Sequence, residues 1–207
     1  MSPRGPRVDG VDLVRGRRYA GPMSANLEKR RITVDEYQQM GDVGIFSEDD
    51  RVELIDGEIL AMTPIGPLHA SVVDRATRLF TLAAGTHAIV RVQSPIRLNL
   101  FTEPEPAISL LRPQDDFYRA GHPQPPDVLL VIEVADASLR YDRELKAPLY
   151  AQAGIVEYWI VDLANVTVTR HAMPEDGVYR EVTIHGKGQS MSPRQLPHCI
   201  VTIDDLL

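Results

Sequence analysis

Residues 128–162 read VLLVIEVADASLRYDRELKAPLYAQAGIVEYWIVD, and their pattern decides the fold. From Val128 to Val134 every position but Glu133 is apolar, which marks a central strand covered on both faces. Over Tyr141–Ala153 the spacing turns helical: Leu145, Leu149, Tyr150 and Ala153 share one side, and Gly154 stands where the helix should end. Glu157–Asp162 is again a short, largely apolar strand. Strand, helix and strand in this order put a helix across the face of a sheet.

Upstream, Thr33-Val34-Asp35-Glu36 fits a capping box that opens a helix to about Met40. RVELIDGEILAM (51–62) reads as a hairpin turning at Asp56-Gly57. The clearest helix runs from Pro67 to Ala84, with Gly85 to close it. Strands are expected at Ile89–Gln93, Ile96–Leu100 and Ala107–Leu111, followed by a polar, proline-containing rim at Arg112–Pro126. Downstream come strands at Val166–His171 and Val178–Thr183 and a last one near Ile200–Ile203. The class is therefore α/β or α+β, a mixed central sheet flanked by helices.

At 207 residues, 43% of them hydrophobic, the chain suits one domain with a real core. No run of eighteen apolar residues exists, which argues against a membrane span, and the basic N-terminus lacks the apolar stretch of a secretory signal. The single cysteine, Cys199, allows neither an internal disulfide nor a cysteine metal cluster; it reads as a small buried hydrophobe in a protein of the reducing cytoplasm. The net charge of -7 argues against coating nucleic acid by bulk electrostatics. It is unevenly spread: residues 1–31 carry eight Lys/Arg against three acids, and the remainder fourteen against twenty-six. Residues 1–31 are accordingly expected to form a mobile basic arm ahead of a domain at 32–207.

Carboxylates stranded in apolar runs are the places to look for chemistry, because hard divalent cations take oxygen ligands. Glu133, near the end of the central strand, is costly there unless paired or metal-bound; the alternative is a strand-end glutamate paired with an arginine. Lys146 falls on or beside the inward face of its helix, either as a functional cation or as the partner of Asp142 four residues before it. Glu53, between Val52 and Leu54 in the hairpin, means little alone, and His69 in the first turn of the long helix reads as a surface or cap-region residue.

The strings RVELIDGEILAMTPIGPLHASVV, VQSPIRL and PPDVLLVIEVADASLRYDRELKAPLYAQAGIVEYWIVDL together resemble the Uma-two family of restriction-endonuclease-like proteins, in the PD-(D/E)XK nuclease superfamily. The resemblance spans about residues 32–207 and is most specific from Pro126 to Asp162. It implies a restriction-endonuclease-like core and an endonuclease that hydrolyses DNA phosphodiesters with Mg²⁺, Mn²⁺ being a possible substitute. It assigns catalysis to Glu53, Glu133 and Lys146, the lysine being displaced from the strand to the following helix. These three are expected to converge, and a homodimer suits the cutting of two strands.

One position departs from the family. Where its members read Pro-Asp, the aspartate being a principal metal ligand, this chain reads Pro106-Ala107. Glu105, two residues earlier and on the same side of an extended chain, is the candidate replacement, giving Glu133, Glu53 and Glu105 as metal ligands. Rescue by Glu105 and plain loss of activity both follow from the same residues. A catalytically degenerate fold kept as a binding or regulatory module is thus the second reading. A serine or cysteine hydrolase has no nucleophile-elbow pattern behind it.

Overall fold

The computed structural model describes residues 29–47 and 49–207, so most of the expected basic arm lies outside the described residues. The elements are helix α1 (Val34–Asp42), strands β1 (Val52–Ile55) and β2 (Glu58–Ala61), helix α2 (Pro67–Ala84), and strands β3 (Ile89–Val92), β4 (Ile108–Leu111) and β5 (Val128–Ala135). Helix α3 (Leu139–Tyr141), a π turn (Asp142–Lys146) and helix α4 (Ala147–Gln152) then follow without a break. Strands β6 (Glu157–Asp162), β7 (Thr167–Glu175), β8 (Val178–His185), β9 (Ser190–Met191) and β10 (Val201–Thr202) and helix α5 (Ile203–Leu206) complete the chain.

Six strands form one mixed sheet in the order β3-β4-β5-β6-β7-β8. Only β5 and β6 run parallel, and their crossover is the helical segment from α3 to α4. Leu130, Ile132 and Val134 pack with Trp159 and Val161 against Val72, Ala76 and Phe80 of α2. The Phe80 and Trp159 ring centroids lie 5.9 Å apart, and burying each such side chain contributes about 1.5–3 kcal/mol. Val131 and Ala135 face the other way, with Tyr158 and Ile160, against Ala147, Tyr150 and Ile155. Glu133 shares the parity of Val131 and Ala135, so strand alternation turns its carboxylate toward the helix that carries Lys146.

The β1–β2 hairpin turns where expected: Ile55 pairs with Glu58, and Asp56 and Gly57 have φ of 51° and 80°, both positive as a two-residue hairpin turn requires. It is a separate two-stranded ladder, docked through Leu54, whose N–H and C=O both bond to Glu103. The capping box at Thr33 is formed, and α2 has the expected ends.

Three segments differ from expectation. Ile96–Leu100 is no ladder strand: Ile96 and Leu98 are buried, but their N–H groups reach the carbonyls of Pro104 and Thr102 in a tight excursion. Pro95, Pro104 and Pro106 remove the donors that a continuous ladder needs there. The final strand is only Val201–Thr202 before α5, which Thr202 caps. The helix expected at 141–153 starts earlier and contains the π turn, in which the Ala147 N–H bonds to the Asp142 carbonyl. Pro148 follows at once; a proline has no N–H for the fourth residue back and its ring crowds that carbonyl, which favours the wider turn. Among the described residues, no helix is long and apolar enough to cross a membrane.

Candidate active site

Glu53, Glu133 and Lys146, from hairpin, central strand and crossover helix, meet in one buried cluster. The Lys146 ammonium lies 2.8 Å from Glu133 Oε1 and 3.1 Å from Glu53 Oε2. All three residues are at most 6% exposed. Tyr141 Oη donates to Glu53 Oε1 (2.9 Å) and Tyr150 Oη to Glu133 Oε1 (3.3 Å). Two backbone N–H groups complete the set: Glu105 donates to Glu53 Oε2 (3.1 Å) and Ala107 to Glu133 Oε2 (3.0 Å). Each carboxylate oxygen therefore already accepts from the protein.

The cluster forms the wall of an open cleft of about 520 Å³, which Glu105, Ala107, Asp136 and Asp142 also line. Glu105 does face this cleft, but its carboxylate leans on Arg51 at 3.7 Å. Asp142 is not bonded to Lys146; it accepts from Ser138 Oγ at 2.7 Å. The neighbours that sequence reading missed are the two tyrosines, Arg51 and His69. Tyr150 carried a signal, since it sits four residues after Lys146 on the same helix face and its hydroxyl needs a partner once buried. His69 is no plain surface residue: its Nδ1 is buried without a partner and it lines the cleft.

Burial pushes the Glu133 carboxyl up to about 7, against the pull of the adjacent Lys146. Asp142 is likewise raised, first by burial. Burial acts the opposite way on Lys146, but the charges of Glu133 and Glu53 outweigh it and hold the ammonium well above its ordinary value. Burial first, and then the negative charge of neighbouring acids, favour the proton on both Glu133 and Asp142. His69 is lowered by burial and then by Arg51. Lys146 is therefore a fixed positive charge at neutral pH, not a base.

Carboxylate oxygens suit a hard divalent ion in kind. In number they fall short: among the described residues, no three acid, histidine or cysteine side chains are grouped to hold one ion. Ala107, whose side chain lines the cleft beside Glu133, offers no ligand at the position where the resemblance expects an aspartate.

The family described as "Putative restriction endonuclease", Uma-two, matches residues 34–204, which take in every side chain of this cluster. The chain belongs to this family. A solved structure supports the architecture: the crystal structure of "a putative nuclease belonging to DUF820" from Anabaena variabilis superposes with a TM-score of 0.68. At 15% identity it covers 84% of this chain and 97% of its own, and shows that the fold is shared. Among curated proteins none matches the chain. Membership of the Uma-two family makes this a nuclease-like protein.

Proposed function

We propose that the cleft is the phosphodiester-hydrolysing site of a DNA endonuclease, weakened at its metal position by Ala107. The observation that carries this reading is the buried Glu53–Lys146–Glu133 cluster on the wall of an open cleft. A buried ion triad is a poor way to stabilise a fold, and its exposure along one cleft edge suggests use. Lys146 supplies a point charge and hydrogen-bond donor for a phosphate oxygen or the attacking water. Glu53 and Glu133 would offer two carboxylates to Mg²⁺ or Mn²⁺, and Glu105 a third only on turning away from Arg51. When bound, such an ion lowers the pKa of water and offsets charge building on the phosphate. Water attacks in line, with no covalent enzyme intermediate. A homodimer would offer one such cleft to each strand, and the buried lone Cys199 agrees with work in the reducing cytoplasm.

A second reading, a degenerate nuclease fold that binds without cutting, is favoured by one observation: the protein's own donors already occupy both Glu53 and Glu133. Cleavage of supercoiled plasmid and single-stranded DNA with Mg²⁺ or Mn²⁺ separates the two. Weak cutting by the wild type, lost in Glu133→Gln and raised in Ala107→Asp, is expected. Should Glu105 have taken over the aspartate's place, Glu105→Gln abolishes the wild-type cutting and Ala107→Asp adds little. No cutting by wild type or Ala107→Asp, with either ion, would leave the binding module as the answer.

A further inference from the structure

The catalytic cleft is lined by five acids (Glu53, Glu105, Glu133, Asp136 and Asp142) against Arg51 and Lys146. A polyanion is not drawn to such a surface. A second groove has the opposite character. Arg91, Arg97, Arg119 and His122 line it, with Asp42 as the one acid among its lining residues. In a chain of net charge -7, this concentration of arginines is out of keeping with the bulk. The arginines come from separate segments: Arg91 from edge strand β3, Arg97 from the proline-rich excursion, and Arg119 from the rim loop. Arg97 is steadied by Asp35 at 2.8 Å, whereas Arg119 is exposed and its side chain has no partner among the described residues.

The rim loop is shaped around this groove. Phe117 and Tyr118 are consecutive residues with φ of 53° and 61°, a conformation disfavoured for any residue bearing a Cβ. It is held in place from several sides. Arg91 Nη2 donates to the Phe117 carbonyl (3.1 Å), the Tyr118 N–H to Asp116 Oδ1 (3.1 Å), and Tyr118 Oη to the Arg112 carbonyl (2.7 Å). The result is that Tyr118 is buried under the Arg91 guanidinium, while Phe117, whose carbonyl that guanidinium holds, is 67% exposed. Phe117 belongs to neither buried apolar cluster among the described residues. Gln93, two residues beyond Arg91 on the chain, lines the catalytic cleft.

We propose that this groove is a second, phosphate-binding site that takes the backbone of a nucleic-acid strand on Arg91, Arg97 and Arg119, with Phe117 as the stacking platform for a base. Arginine forks bind phosphate oxygens, and an aromatic face accepts any base. The polymer's identity rests on the nuclease reading; the phosphate chemistry does not. The groove anchors the strand that the acidic cleft alone repels.

The test is equilibrium binding of a fluorescent single-stranded oligonucleotide by full-length protein in a chelator, where nothing is cut. Arg119→Glu should weaken binding about tenfold at low salt and flatten the dependence of log K on log salt by about 0.7 per lost phosphate contact. Phe117→Ala should weaken it about fivefold or more with the salt slope unchanged. Arg180→Glu, on β8 at the opposite edge of the sheet, should leave both quantities as in the wild type. Equal losses in Arg119→Glu and Arg180→Glu, no loss in Arg119→Glu, or no binding by the wild type would each overturn the proposal. Displacement of the oligonucleotide by inorganic phosphate at micromolar concentration would make the groove a free-anion site and overturn its assignment to nucleic acid. Failure of the nuclease reading looks different: an oligonucleotide held in an Arg119-dependent way but never cut when Mg²⁺ is supplied.

Discussion

Replacing Lys146 by methionine keeps the length of the side chain and removes its charge from between two acids. The ammonium is 2.8 Å from Glu133 and 3.1 Å from Glu53, and all three groups are buried. Breaking a buried pair from one side costs about 3–5 kcal/mol, because the remaining charge is left without a partner. For a domain of this size, about 2–4 °C of melting temperature goes with each kcal/mol, so Lys146→Met should melt roughly 6–20 °C lower. The pH dependence identifies the cause. In the variant the folded-state acids are raised above their unfolded values, so the folded state binds the extra proton and the deficit shrinks toward pH 5 and grows as pH rises. Millimolar Mn²⁺ should restabilise the variant by about 1.4 kcal/mol for tenfold saturation, and the wild type by less. The assay is thermal denaturation at several pH values with and without the ion. A loss below about 1 kcal/mol that is flat in pH would refute the claim that Lys146 neutralises these two acids.

His171 is buried between Tyr158 and Tyr179, and its pKa is lowered, chiefly by burial. Its contribution is thus present above the unfolded pKa of about 6.5 and lost as pH falls through the folded value, so His171→Phe should melt closer to the wild type at pH 5 than at pH 8. Gly57→Ala should cost about 1–2 kcal/mol by denaturant unfolding, since φ is 80° and a Cβ would sit 2.5 Å from the Arg31 Cβ. Tyr150→Phe should cost about 1 kcal/mol and raise the Glu133 pKa only slightly, because the lost donor favours the carboxylate but its 3.3 Å bond is the longest that Glu133 accepts; carboxyl titration by NMR reads this directly.

Much of this was legible in the residues alone, for reasons that can be named. Glu133 could be read because a charge in an eight-residue buried strand breaks the pattern, and period-two alternation then fixes its side of the sheet. Asp56-Gly57 could be read because few dipeptides accept two positive φ values in succession. Spacing at 3.6 residues per turn leaves Lys146 ambiguous, because the turn that holds it is wider. Ile96–Leu100 has a strand's composition, but three nearby prolines decide its hydrogen bonding. The tyrosine hydroxyls and the Ala107 N–H that fill the carboxylates depend on tertiary distance, which no local pattern encodes. Without the resemblance, Glu53 would have remained an ordinary acid beside a turn.

The π turn at Asp142–Lys146 has a consequence for how this site tolerates change in chain length. It holds one residue more than an ordinary helical turn, so it works as a vernier between the crossover's two ends. Deleting a single residue there, such as the exposed Glu144, would let regular bonding close the turn and leave the segments before and after it facing as they do now. Tyr141 before the turn and Tyr150 after it would keep their carboxylates, while Asp142 and Lys146, within it, would be re-aimed. A one-residue gap at this point in a relative's sequence would therefore keep the crossover in place and change how the aspartate and lysine of the turn meet the cleft.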